Sequence, residues 1–324
     1  MTELSAMRRD SRVYVAGHRG LVGSSILRAL TERGHANILT RSHAELDLTD
    51  TSAVELFFAE TQPEYVVLAA AKVGGILANS TYPADFIREN LAIQNNVIEA
   101  CRQVGVRRLL FLGSSCIYPK LCPQPIKEEY LLTGPLEITN RPYALAKIAG
   151  VELCWSYNRQ YGTHYLAAMP TNLYGPGDNF DLQTSHVLPA LLRKAVEAKR
   201  LGVAELVVWG TGKPCRELLY SSDMAEACIF LLELEDERYN TLISQTEPPL
   251  INIGTGTDVT IRELAEIVCR VTGFDGALHF DTSKPDGTPR KLLDVSKMDA
   301  LGWRASTLLE TGIALTYDAV RHRL

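Results

Sequence analysis

The stretch Val13-Tyr14-Val15-Ala16-Gly17-His18-Arg19-Gly20-Leu21-Val22-Gly23 decides how the chain folds. Its first four residues form an apolar run suited to a buried strand, and its glycines suit a turn. Leu21 to Arg33 then reads as a helix, with Leu21, Ile26, Leu27 and Leu30 apolar and Gly34 as its stop. Glycine lacks a Cβ, so the backbone can turn tightly and approach a pyrophosphate closely. The helix N-terminus adds unpaired N–H groups and the positive end of the helix dipole. Strand, glycine turn and helix in this order predict a dinucleotide site at Gly17, His18, Arg19, Gly20, Leu21, Val22 and Gly23. The spacing is G-x-x-G-x-x-G rather than G-x-G-x-x-G.

The same alternation continues outward. Ile38-Leu39, Tyr65 to Ala71, Arg108 to Leu112 and Tyr165 to Met169 are apolar strand patterns. Thr51 to Glu60, Pro83 to Val104 and Tyr143 to Tyr161 are helical patterns between them. Continuous apolar strands alternating with helices imply a parallel sheet covered on both faces. The expected fold is α/β: a Rossmann-type, doubly wound parallel sheet with a smaller mixed α/β C-terminal substrate lobe. The first domain is expected over residues 11–178 and the substrate lobe over 179–324. Segments near 206–226 and 250–256 are expected to return to the first domain. Ligands bind such sheets at the carboxyl ends of the strands.

Composition narrows the function. The chain has 324 residues, 46% hydrophobic and 22% charged, so it can bury a large core without metal or disulfide staples. A formal net charge of -5 argues against general nucleic-acid binding. The seven cysteines have no C-x-x-C pair, so no metal site is expected and the thiols suit a reducing, cytoplasmic setting. Met1 to Asp10 lacks a signal peptide's apolar stretch, and no run of about 18 apolar residues predicts a membrane span.

Dinucleotide type is set just beyond the second strand. An NAD site commonly places an acid about 20 residues past the glycine turn, on the ribose 2′-hydroxyl. Here the window reads Leu39-Thr40-Arg41-Ser42-His43, with no acid and one arginine. Arg41, with Arg19 and His43 nearby, suits a 2′-phosphate, so NADP(H) is the expected cofactor. Asp47-Leu48-Thr49-Asp50 either holds the adenine edge or caps the next helix; the sequence does not separate the two.

Tyr143 and Lys147 are spaced i, i+4 and share a helix face. An ammonium beside a phenol is expected to lower the phenol's pKa and fit it for proton transfer to a carbonyl. Ser114, just past the strand ending at Leu112, can hold that carbonyl. Glycine turn, Ser114, Tyr143 and Lys147 in this order resemble the short-chain dehydrogenase/reductase superfamily, in its extended, sugar-nucleotide branch.

More particular runs are Gly113-Ser114-Ser115-Cys116-Ile117-Tyr118-Pro119-Lys120, Ser185-His186-Val187-Leu188-Pro189 and Lys284-Pro285-Asp286-Gly287-Thr288-Pro289-Arg290-Lys291. These resemble the GDP-L-fucose synthase family, and the likeness runs from about Val13 to the C-terminal helix. The resemblance implies conversion of GDP-4-keto-6-deoxy-D-mannose to GDP-L-fucose, by inversion at C3 and C5 followed by NADPH-dependent reduction at C4. It implies Ser114, Tyr143 and Lys147 at the ketone, with Cys116 and His186 as the acid–base pair of the inversions. Cys116 is the preferred base and His186 the preferred acid, although the sequence does not fix the direction. The resemblance also places Leu112, Gly113, Ser114, Lys147, Pro170, Asn172, Leu173 and His186 beside the cofactor. It places Lys194, Trp209, Arg216 and Asp286 on the nucleotide sugar, and it implies a homodimer through the two long helices.

Two departures from the family stand out. Lys194 occupies a position where many relatives have arginine, which makes its phosphate contact a point charge rather than a fork. Leu218-Leu219-Tyr220-Ser221-Ser222-Asp223, beside Arg216, departs from the pattern of relatives, which commonly carry an aromatic and a second acid in this stretch. Rival readings are a sugar-nucleotide 4-epimerase or dehydratase that recycles NAD(H), and a non-catalytic NADP-binding sensor. Arg41, Cys116 and His186 oppose the first; the retained Tyr143 and Lys147 oppose the second.

Overall fold

In the computed structural model, which describes residues 6–182, 184–284 and 286–324, the apolar runs become a six-stranded parallel sheet. Residues 1–5, at the start of the polar N-terminal stretch, and Pro285 of the Lys284–Lys291 run lie outside the described residues. The first half alternates as β1 (Val13–Ala16), α1 (Leu21–Glu32), β2 (Ile38–Leu39), α2 (Thr51–Thr61), β3 (Tyr65–Leu68), α3 (Ile76–Thr81), α4 (Pro83–Gln103), β4 (Arg108–Leu112), α5 (Arg141–Tyr161), β5 (Tyr165–Pro170) and β6 (Asn172–Tyr174). The second half runs α6 (Val187–Leu201), β7 (Glu205–Trp209), β8 (Cys215–Arg216), β9 (Leu218–Tyr220), α7 (Ser221–Glu233), α8 (Asp236–Asn240), β10 (Leu250–Ile253), β11 (Val259–Thr260), α9 (Ile261–Thr272), β12 (Ala277–Asp281), β13 (Arg290–Lys291), α10 (Ser296–Ala300) and α11 (Leu309–Val320).

The large sheet has the order β10-β5-β4-β3-β1-β2. Chain direction across the sheet reverses between β1 and β3, so the carboxyl ends of those strands open a crevice. Side chains alternate between the two faces. Tyr14, Ala16, Val66, Leu68, Leu109 and Phe111 pack with residues of α2, α4 and α5. Val13, Val15, Tyr65, Val67, Leu110 and Leu112 pack with residues of α1 and α7. Burial on both faces explains why these strands read as unbroken apolar runs.

A third core joins α6, α9, α11 and β7 in the second lobe, around Leu191, Leu192, Leu206, Leu264, Val268 and Ile313. The segment near 206–226 divides between the two lobes. β7 pairs with β12, and β8 pairs with β11 and β13, in small sheets of their own. β9 pairs with β6, and α7 lies against α1, where Ser221 and Ser25 share a 3.0 Å hydroxyl hydrogen bond. β10 joins the large sheet beside β5. No helix among the described residues is long and apolar enough to cross a membrane.

Arg108, at the start of β4, fastens the chain that follows α7 to the sheet. It is 1% exposed and donates to the carbonyls of Leu232 and Leu234 and to the Asp236 carboxylate. Its guanidinium also lies 4.1 Å from the Tyr239 ring centroid. Arg108→Met leaves these acceptors unpaired and should lower unfolding free energy by about 3 kcal/mol, read from the urea midpoint. An unchanged midpoint would show that water replaces the guanidinium at little cost.

Candidate active site

The glycine turn is closed by contacts that leave no room for a side chain. Gly17 has φ +84°, and a Cβ on it would lie 2.7 Å from the Ala70 nitrogen at the end of β3. A Cβ on Gly23 would lie 2.1 Å from the Gly17 oxygen. Gly20 begins α1 without a side-chain cap, so the first N–H groups of the helix stay available for an anion. His18, within the turn, has a buried Nδ1 with no hydrogen-bond partner. An uncapped helix end, a cradle that any Cβ would fill and an orphaned nitrogen together fit a bound pyrophosphate.

Arg19 and Arg41 are exposed near one another, since both charges act on the Glu45 carboxylate. Glu45 is held below its usual pKa mainly by hydrogen bonds from the hydroxyl and amide of Ser42. Arg41 lies 5.1 Å from the Phe57 ring centroid and donates to the Thr40 carbonyl. His43 points elsewhere, with its Nδ1 3.9 Å from Asp47. Asp47 accepts from the Thr49 amide and hydroxyl, whereas Asp50 caps α2 through the Ala53 amide at 3.1 Å. The acidic turn therefore divides its work: Asp50 caps the helix and Asp47 closes the turn. Leu48 is buried, and its carbonyl accepts from Asn96.

At the carboxyl end of β4, Leu112 is followed by Gly113, where a Cβ would strike Met169. Ser114 starts a short 3-10 turn over Ser115–Ile117 and accepts from the Cys116 amide at 3.4 Å. Its hydroxyl also favours the ionised forms of the Cys116 thiol and the Tyr143 phenol. The first turns of α5 carry Tyr143 and Lys147, with Pro142 near the helix start. Lys147 is 3% exposed; its Nζ donates to the Leu112 carbonyl at 2.8 Å and lies 5.8 Å from the Tyr143 ring centroid.

Ionisation differs from the simple expectation for this pair. The Tyr143 phenol is pushed up, first by burial and then by Cys116, despite the ammonium beside its ring. Here desolvation outweighs attraction. Lys147 is itself lowered to about 8 by burial. The Cys116 thiol is raised by burial, with Lys291, Ser114 and Lys147 opposing the rise. His186 heads α6 without making a side-chain cap. Loss of solvent around its ring and the Lys291 charge both lower its pKa. Near neutral pH the pair therefore favours a protonated thiol and a neutral imidazole. No hydrogen bond joins Cys116 to His186 among the described residues, but the Lys291 charge acts on both.

The second lobe brings the remaining positions together. Trp209 ends β7 and is 62% exposed, with Lys194 Nζ 5.2 Å and Lys284 Nζ 5.6 Å from its rings. Lys194 also donates to the Val207 carbonyl at 3.2 Å. Asp286 accepts from the Thr211 amide and hydroxyl, clamping the turn that follows β7. Arg216 donates to the carbonyls of Cys215 and Thr288, and the Asp286 charge reaches it. It does not pair with its neighbour Glu217, which points inward. Pro170 ends β5, Asn172 donates to the Glu217 carbonyl, and Leu173 packs on the sheet's second face.

Two residues at this junction escaped the sequence reading. Glu217 is fully buried and accepts from the amides of Thr255, Gly256 and Leu293. Lys291 ends the run that begins at Lys284, and its charge meets those of Cys116, Cys122 and Arg216. The signal for Glu217 was its place next to Arg216 on the opposite face of an extended segment. For Lys291 it was the particularity of its run.

This fold and site define an NADP-dependent oxidoreductase of the extended short-chain dehydrogenase/reductase type. Residues 13–245 match the NAD dependent epimerase/dehydratase family. GDP-L-fucose synthase 1 of Arabidopsis thaliana is 56% identical, over 98% of this chain and 95% of that protein. GDP-L-fucose synthase of Escherichia coli strain K12 is 56% identical over 95% of each. The structure of MlghC, a GDP-mannoheptose C4 reductase from Campylobacter jejuni with NADP bound, superposes with a TM-score of 0.89, 40% identity and coverage of 97% and 99%. The chain belongs to the GDP-L-fucose synthase family, within the NAD dependent epimerase/dehydratase family.

Gly23→Ala should weaken NADPH binding at least about tenfold, because the overpacked turn costs on the order of 1–3 kcal/mol. Fluorescence titration of bound NADPH checks this, with circular dichroism as the folding control. Equal affinity would mean that the turn does not hold the pyrophosphate.

Proposed function

We propose that the chain converts GDP-4-keto-6-deoxy-D-mannose to GDP-L-fucose, inverting C3 and C5 before reducing C4. The observation that carries this reading is the gathering of a hydroxyl, a thiol and a phenol at the carboxyl end of β4, where Ser114 accepts from the Cys116 amide and acts on both the Cys116 thiol and the Tyr143 phenol. One ketone oxygen held there is addressed by the groups for both inversion and reduction.

The C4 ketone acidifies the hydrogens at C3 and C5, because the resulting carbanion delocalises onto O4. Ser114 and Tyr143 donate to O4 and stabilise that enolate, as an oxyanion hole does. Cys116 as thiolate removes the proton from one face, and His186 as imidazolium returns one to the other. This active form has the same proton count as a neutral thiol and imidazole, with one proton moved from sulfur to nitrogen. NADPH, when bound, supplies the hydride for C4. Tyr143 gives its proton to O4, and Lys147 holds the phenol in place beside the Leu112 carbonyl.

The cofactor would be held by Gly17, His18, Gly20 and Gly23 at its pyrophosphate and by Arg19 and Arg41 at its 2′-phosphate. His43, turned toward Asp47, is a weaker partner than Arg41. Leu112, Gly113, Pro170, Asn172 and Leu173 would line the nicotinamide end. In the second lobe, Trp209 would pack on a ring of the nucleotide sugar, Lys194 and Arg216 would meet its diphosphate, and Asp286 would accept from a hydroxyl or base N–H. The two lobes are read as an NADP-binding domain over residues 11–178 and a substrate lobe over 179–324. The enzyme is further proposed to act in the cytoplasm as a homodimer through α4 and α5, where Leu145 and Tyr161 are exposed.

Cys116→Ser should slow exchange of the C3 and C5 hydrogens with deuterated water by about 10²-fold or more, read by NMR. Exchange at the wild-type rate would remove the thiol from the inversion. Lys147 is charged below about 8 and neutral above it, so kcat/KM should fall as pH rises through that value. A flat profile from about pH 6 to about pH 10, roughly two units either side of its midpoint, would contradict a role for the ammonium.

A further inference from the structure

Glu217 is the single residue between β8 and β9, and it carries a carboxylate that the proposed reaction does not use. Its side chain is fully buried. Oε1 accepts from the amides of Thr255 at 2.7 Å and Gly256 at 2.8 Å, and from the Thr255 hydroxyl at 3.4 Å. Oε2 accepts from the Leu293 amide at 2.9 Å. Gly254 lies against the same group, since a Cβ on it would stand 2.3 Å from Oε1. A carboxylate suits this place because it only accepts, and the groups aimed at it donate.

The strands around the neighbouring Arg216 are short. β8, β11 and β13 have two residues each, and the bond from the Glu217 amide to the Lys291 carbonyl is long, at 3.4 Å. The carboxylate bonds are shorter and charge-assisted, about twice as strong as neutral ones. They hold the segments that flank Arg216: residues 255–256 lead into β11, and Leu293 follows β13. Both strands pair with β8 at Arg216, through Val259 and Lys291. The guanidinium is aimed by the same strand, because Thr288, just before β13, accepts from its Nη1 at 2.6 Å. Consecutive side chains therefore grip the two ends of β13, Arg216 before it and Glu217 after it. The Cys215 carbonyl also accepts from Nη1, at 2.7 Å, so among the described residues Nε and Nη2 remain for an anion. On the other side, the Glu217 carbonyl accepts from Asn172 at 2.9 Å and from the Thr171 hydroxyl at 3.3 Å, which fixes it to the chain that leaves β5.

We propose that Glu217 is a positioning residue for the nucleotide sugar, whose carboxylate fixes Arg216 at the distance from the nicotinamide end that lets one substrate reach both. This rests on the roles given to Arg216 and Asn172 under the proposed function. The carbonyl of Glu217 is anchored beside the cofactor, and its carboxylate is anchored to the segments that aim the guanidinium. A guanidinium must meet a phosphate in one orientation to donate twice, so a small displacement loses bonds even though the charge remains. Glu217→Gln keeps the size of the side chain and the backbone carbonyl, but it turns one acceptor into an N–H donor facing amide N–H groups. The segments part there and Arg216 moves with them, while Asn172 keeps its acceptor.

Isothermal titration calorimetry of the full-length enzyme tests this, with GDP and NADPH as separate probes and circular dichroism as the folding control. Glu217→Gln should raise the Kd of GDP about tenfold, the order of one lost hydrogen bond to a charged group, and leave the Kd of NADPH unchanged. Arg216→Met should weaken GDP binding too, and adding Glu217→Gln to it should weaken binding no further, because the carboxylate acts through the guanidinium. Glu217→Asp keeps an acceptor-only carboxylate one methylene shorter. It is the milder change for folding and should show the same split between GDP and NADPH in smaller measure.

Wild-type GDP affinity in Glu217→Gln and Glu217→Asp would overturn the proposal. So would losses that add in the double variant, or an equal loss of GDP and NADPH affinity, since a general loosening rather than a displaced Arg216 would be their cause. A wild-type enzyme that does not bind GDP would remove the proposed function itself, and with it the site that Glu217 serves.

Discussion

Close approach of β1 to β3 governs the rest of the molecule. The backbone at Gly17 passes so near Ala69 and Ala70 that a side chain there is sterically excluded. Gly23 is excluded from carrying one by Gly17 itself. These contacts turn the chain directly from β1 into α1 and aim the uncapped helix end into the crevice between β1 and β3. Everything that handles a dinucleotide follows from that orientation. The neighbouring carboxyl ends of β3, β4 and β5 then deliver their loops to the same crevice, among them the turn with Ser114 and Cys116.

The second constraint is dryness. Cys116 and Lys147 are both nearly inaccessible, and each is displaced toward its neutral form. Tyr143 follows the same direction. In such surroundings a single charge acts over a longer distance than in water. Lys291 is one such charge, and it opposes the burial-driven rise of the Cys116 thiol. Glu217 ties the segment after β10 to the segment after β13 by accepting backbone amides from 255–256 and from 293. Its pKa is raised by burial, but backbone N–H groups oppose that rise and satisfy the carboxylate without a cation. A group whose chemistry resembles a catalytic acid thus serves as a joint.

Much of this was legible before any coordinates. The parallel sheet was readable because strands buried on both faces must be continuously apolar, as Tyr65–Leu68 and Arg108–Leu112 nearly are. The turn at Gly17 was readable because only glycine fits it. Ser114, Tyr143 and Lys147 announced themselves by order and spacing, and Cys116 and His186 through family likeness. The rest depended on contacts between residues far apart in sequence. Nothing local tells that β8 pairs with β13, or that Asp286 closes the turn at Thr211. The phenol's direction was misjudged because spacing shows an ammonium nearby but not how much water has been removed. His43 was grouped with Arg41 by proximity along the chain, whereas its ring turns to Asp47.

The central claim is that one ketone is worked on from several sides within one site: sulfur and imidazole for inversion, phenol for reduction. Reaction of the purified enzyme with GDP-4-keto-6-deoxy-D-mannose and NADPH in deuterated water, followed by NMR of the product, reads all of this at once. The account predicts GDP-L-fucose carrying deuterium at C3 and C5 and protium at C4. A D-configured 6-deoxyhexose with protium at C3 and C5 would show a plain ketoreductase and contradict it.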